Sequence, residues 1–95
     1  MKAIKIDSKD NVAVVLGAVE KGWEVVWTKD SETASVQAMD TIPMYHKIAV
    51  RDIPAGEPVV KYGEHIGQAT AFIPAGAHVH VHNVVSMKED RRGKE

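Results

Sequence analysis

Glycine and proline punctuate this chain at short intervals. Val, Ile and Thr dominate the segments of about four to eight residues between them, which is the pattern of strands rather than helices. Residues 1–7 alternate Lys2 and Lys5 with Ala3 and Ile4 and read as a first strand. Residues 8–11 (SKDN) read as a turn, because Ser, Asp and Asn side chains imitate backbone turns. The apolar run 11–16 (NVAVVL) predicts a buried strand, and 23–28 (WEVVWT) predicts another. Residues 33–39 (TASVQAM) fit a short helix capped by Ser31 or a strand alternating at Ala34, Val36 and Ala38; the strand is the reading taken. Strands are also predicted at 47–51, 59–62, 68–73 and 78–84.

A repeat runs through the second half. Residues 53–59 and 73–79 share I-P-A-G-x-x-V, and 42–48 (IPMYHKI) is a partial third copy. Proline at the second position of a turn and glycine at the fourth would join two strands sharply. The copies are too few for a solenoid, so they predict a compact, tightly turned all-β module over residues 1–86. Residues 87–95 (MKEDRRGKE) carry seven charges among nine positions and predict a solvated end, or a linker or docking arm.

At 95 residues the chain holds one domain and has little room for a deep, enclosed site. Its 44% hydrophobic and 26% charged residues exclude disorder, collagen and a coiled coil for the whole chain. A net charge of −1 lacks the basic excess of a nucleic-acid binder. No apolar stretch is long enough to span a membrane, and the first residues do not resemble a signal peptide. Cysteine is absent, which excludes disulfides, thiolate metal sites and cysteine nucleophiles. The expected location is the cytoplasm.

Three of the five histidines fall in His78-Val79-His80-Val81-His82. On a strand they share one face, with the valines on the other. His78 and His82 would stand about 13 Å apart, too far to share an ion without a bend, so two of the three at most would serve one site. A metal site and a row of half-exposed histidines at an interface both fit this spacing. His46-Lys47 follows a turn, and Lys61 lies on a strand beside Tyr62, where it either covers an edge or holds a carboxylate. No nucleophile elbow, P-loop or dinucleotide fingerprint is present.

Taken in order, Asp10-Asn11-Val12-Ala13-Val14, Ile42-Pro43-x-x-His46-Lys47-Ile48-Ala49, Arg51-Asp52-Ile53, Val60-Lys61-Tyr62-Gly63-x-x-Ile66-Gly67 and Val79-His80-Val81-His82-Asn83 resemble the N-terminal domain of altronate and galactarate dehydratases. The same blocks resemble the small subunit of sulfolactate sulfo-lyase. The resemblance implies a SAF-type β-clip fold. It implies a lyase that removes water from a sugar acid, or sulfite from a sulfonated hydroxy acid, with a divalent metal such as Fe²⁺. It also implies a larger catalytic subunit or domain as partner; assembly of several copies is compatible with it. On this footing His80 and His82 are the expected metal ligands. His46, Lys47 and Lys61 are expected to bind substrate carboxylates, and Asn83 a hydroxyl. A non-catalytic binding or assembly module is the alternative from another class. One position departs from the family: Tyr45 stands where its members usually carry glycine. If a positive φ is needed there, tyrosine costs about 1–2 kcal/mol, unless the turn changes type.

Overall fold

The computed structural model describes residues 1–86, and every regular element among them is a strand. In chain order these are β1 (Ala3–Ile4), β2 (Val12–Val15), β3 (Glu24–Lys29), β4 (Glu32–Gln37), β5 (Lys47–Ala49), β6 (Pro58–Lys61), β7 (Glu64–Ala69), β8 (His78–Val79) and β9 (Val84–Val85). One antiparallel sheet runs β1-β2-β5-β8, a second runs β6-β7-β9, and β3 and β4 form a separate ribbon. This is the expected all-β class, and β4 settles residues 33–39 as mainly strand. The predicted charged end, residues 87–95, lies outside the described residues.

The apolar run in β2 has a direct cause. Val12 pairs with Ala49 and Ala13 with Ile48 across the β2–β5 ladder. Successive side chains point to opposite faces. Val12 and Ala49 therefore join one buried cluster, with Ile53, Val59, Ile73 and Val79. Ala13 and Ile48 join the other, with Val15, Val19, Val25 and Ile42. The ladder is a wall with a core on each side, so neither face of β2 can be polar.

The turn motif occurs four times. Val19-x-x-Gly22-x-x-Val25 repeats the spacing of Ile42–Ile48, Ile53–Val59 and Ile73–Val79, and all eight end residues are at most 1% exposed. In each copy the fourth residue has a positive φ: Gly22 94°, Tyr45 67°, Gly56 87° and Gly76 92°. In each copy the fifth amide donates to the second carbonyl at 3.1 Å, as from His46 to Pro43 and from Ala77 to Pro74. The turn thus starts at the second residue, proline in three copies and Glu20 in the other, with the positive-φ residue third, the signature of type II; it begins one residue later than the sequence suggested. The fourth amide in each copy reaches a neighbouring strand: Gly22 to Ala38, Tyr45 to Val15, Gly56 to Ala69 and Gly76 to Ala49. At Gly76 a side chain would also collide with the Gln37 carbonyl, so glycine is required there twice over.

Tyr45 keeps the turn type and accepts the strain. Its ring is 66% exposed, so intramolecular burial does little to offset it. Tyr45→Gly is expected to raise stability by about 0.5–1 kcal/mol, the relieved strain less the entropy glycine adds to the unfolded chain. Urea denaturation would show a higher midpoint at unchanged slope.

Several predicted strands shorten or divide. The segment 68–73 gives only the end of β7, since Ile73 opens a turn and meets Ile53 in an isolated bridge. The segment 78–84 splits into β8 and β9, with a turn at 80–83.

Asp10 and Asn11, read as turn residues, are 3% and 4% exposed and bind backbone. Asp10 Oδ1 accepts from Gly63 N–H (2.8 Å), and Oδ2 accepts from Asp7 N–H (3.1 Å) and Ile6 N–H (3.3 Å). The Asn11 amide donates to the Pro58 carbonyl (3.0 Å) and accepts from Val60 N–H (2.8 Å). It thereby occupies β6 where the β6–β7 register slips between Val59 and Val60.

Candidate functional site

The antiparallel register of β5 and β8 assembles the imidazoles. Lys47 lies opposite Val79 and Ile48 opposite His78, so the next position outward sets His46 against His80. The His46 and His80 rings stack at 4.4 Å between centroids. His46 Nδ1 lies 2.9 Å from His78 Nε2, and one of the two nitrogens donates to the other according to tautomer. The His78 and His80 rings stack at 5.6 Å, as expected of alternate residues along an extended segment.

His82 arrives by another route. The chain leaves the strand after Val79, and the turn is closed by Asn83 N–H donating to the His80 carbonyl. The Asn83 side chain reinforces it, accepting from His80 N–H (3.0 Å) and donating to the His78 carbonyl (2.9 Å). This turn is the bend that the extended spacing lacked: it returns the His82 ring to 5.2 Å from that of His78. Asp40 anchors the other side, accepting from the backbone N–H of His78 (3.0 Å).

Nitrogens of His46, His78 and His80 all lie within 4.8 Å of one another. This converging group differs from the His80–His82 pair suggested by the sequence: cross-strand pairing brings in His46, and the end of β8 leaves His82 beside His78. Ligands bound ~2.1 Å from one ion at cis or tetrahedral angles stand ~3.0–3.4 Å apart, close to the His46–His78 spacing. The donor set suits a borderline divalent cation, because imidazole serves zinc, iron, copper and nickel alike. Burial lowers the pKa of His78, and the neighbouring His82, His46 and His80 lower it further against the opposing pull of Asp40. His80 is lowered as well, by desolvation and then by His46, Lys47 and His82. Both are held toward the neutral form that binds metals.

Lys47 is half-buried on the opposite face of β5, its pKa lowered by burial and by the charge of Lys61. The Lys61 ammonium rests 4.8 Å from the centroid of the Tyr62 ring. Among the described residues the one ion pair is Lys29–Asp30, so neither lysine has a carboxylate partner. The structure places Lys47 near both Lys61 and His80, whereas Asn83 is engaged in holding the turn.

Beside His80 a cleft of about 240 Å³ opens between the two larger sheets, with Lys47, His80 and Ser86 on its polar wall and valines and Ile66 elsewhere. A larger concavity of about 560 Å³ adjoins the β3–β4 ribbon, but its Lys5, Lys9, Lys29 and Arg51 are interspersed with Asp30 and Glu32 and converge on nothing.

Residues 1–87 match the family model described as the altronate/galactarate dehydratase SAF domain. The chain belongs to that family. It is 45% identical over 83 residues to altronate dehydratase of Escherichia coli strain K12. It is 42% identical over 81 residues to the (2R)-sulfolactate sulfo-lyase subunit alpha of Chromohalobacter salexigens. Galactarate dehydratase (L-threo-forming) of E. coli is 35% identical over 74 residues. These matches cover 87%, 82% and 78% of this chain. They cover 16% of the altronate dehydratase and 13% of the galactarate dehydratase, but 86% of the sulfo-lyase subunit. In the dehydratases the SAF domain is thus a small N-terminal part of a larger enzyme. No helix among the described residues is long and apolar enough to cross a membrane.

Proposed function

We propose that this chain supplies the metal- and carboxylate-binding module of a sugar-acid dehydratase of the altronate/galactarate type, acting with a larger catalytic polypeptide. The observation that carries the proposal is the convergence of His46, His78 and His80 from two paired strands, with Lys47 beside His80 and no carboxylate on Lys47 or Lys61 among the described residues. His46, His78 and His80 would hold a divalent cation such as Fe²⁺, with His82 next to them. When bound, that cation supplies Lewis acidity toward carboxylate and hydroxyl oxygens. Lys47 and Lys61 bind the substrate carboxylate and hold it as a charged pair. Asn83 and Asp40 fix the backbone of His78 and His80, so the rings keep their spacing. The imidazoles are only half-buried or exposed, so exclusion of water falls to the larger polypeptide.

The 86% coverage of a sulfo-lyase subunit alpha favours a second reading, in which sulfite rather than hydroxide leaves. Assay of the chain together with its larger polypeptide, with Fe²⁺ and altronate, galactarate or (2R)-sulfolactate, separates the two. Dehydration of a sugar acid that is lost in His78→Ala and His80→Ala supports the proposal. Turnover of sulfolactate alone selects the second reading, and full metal-dependent activity in both histidine variants refutes the assigned centre. Lys47→Met and Lys61→Met are each expected to raise KM about 10–100-fold, the loss of one charge-assisted contact, with a smaller change in kcat.

A further inference from the structure

The cleft beside His80 is the wrong chemistry for a polyhydroxylated acid. Ile66, Val81 and Val84 offer no partner to a hydroxyl, and the polar wall is confined to Lys47, His80 and Ser86. Exposed apolar side chains also gather around the imidazoles. Val81, between His80 and His82, is 81% exposed, and Met44 and Tyr45 lead directly into His46. Tyr45 holds a positive φ with its side chain largely in solvent. The direction of the chain adds an independent constraint. The dehydratase relatives continue well beyond the matched region, and the end of that region lies at this cleft, since Ser86 lines it.

We infer that this cleft is the docking seat for the larger lyase polypeptide, which inserts an apolar side chain against Ile66, Val81 and Val84. Docking there covers His80 and turns an open imidazole face into an enclosed site. The inference rests on the proposed function, and the test separates the two.

A benzophenone side chain (p-benzoylphenylalanine) is introduced at Val81, at Ile66 or, as a control, at Glu32 on the β3–β4 ribbon, which shares no strand with either sheet around the cleft. The full chain is produced in its native cells and irradiated, and crosslinked peptides are mapped by mass spectrometry. The expected result is a crosslink from positions 81 and 66, but not 32, to the lyase polypeptide. Capture of that polypeptide from position 32 alone, a crosslink to a second copy of this chain, or no capture overturns the docking seat while leaving the lyase reading intact. Capture at positions 81 and 66 of a polypeptide that is no lyase overturns both the stated partner and the proposed function.

Discussion

Asp10→Ala is expected to lower unfolding free energy by about 3 kcal/mol. Three backbone N–H groups, from Ile6, Asp7 and Gly63, lose a charged acceptor in a place where water cannot fully replace it. The variant also loosens the β6–β7 turn, which Gly63 ties to the β1–β2 connection. Asp10→Asn should lose less, because one acceptor oxygen remains while an amide NH₂ faces donors. Burial by itself would raise the Asp10 pKa, but the N–H groups of Gly63, Asp7, Tyr62 and Ile6 together bring it below the ordinary value. A lowered carboxylate pKa gives stability that is full above about pH 4 and is lost as pH falls through the lower folded-state value. The wild type should therefore converge on Asp10→Ala only in strong acid. Urea titrations of both proteins at pH 7 and pH 3 measure this; an unchanged midpoint at pH 7 would show that the three N–H groups are satisfied by solvent.

His78→Ala is expected to weaken divalent-cation binding by about 100-fold or more, since it removes the central donor of the three-imidazole group and not merely an outer contact. Titration with Co²⁺, followed by its visible spectrum and by calorimetry, reads this without requiring turnover. His82→Ala should weaken binding less, and His65→Ala should leave it unchanged. The pH dependence has a definite sign. His78 and His80 resist protonation in the folded chain, so their contribution to stability is present above about pH 6.5 and declines below it. Metal uptake competes with protons for the same nitrogens and should fall in the same direction. Equal Co²⁺ affinity in wild type and His78→Ala would remove the centre.

The all-β class was legible because β-branched segments between Pro-Gly turns admit little else. The site was legible only in part. His78 and His80 follow from alternation along one segment, but His46 enters through a pairing between residues 32 apart, which no local pattern specifies. The return of His82 depends on Asn83, whose side-chain bonds close a turn where alternation alone extends the strand. The fourth turn is hidden in the sequence because Glu20-Lys21 replaces Pro-Ala; only Val19, Gly22 and Val25 preserve its spacing. Asp10 and Asn11 were read by their propensity for turns. Their burial depends on β6 and β7 arriving some 50 residues later.

The ladder between β5 and β8 repeats the one between β2 and β5, so β5 serves as the second strand of one unit and the first of the next. In the inner unit the outermost pair is Val12 with Ala49, sealed in hydrocarbon. The corresponding place in the outer unit is held by His46 and His80. Reactive groups thus occupy the last course of a stack that breaks off, where aliphatic filling would otherwise have continued. A site formed in this way needs no pocket carved into a small body, and its depth is set by the surface laid over the unfinished end.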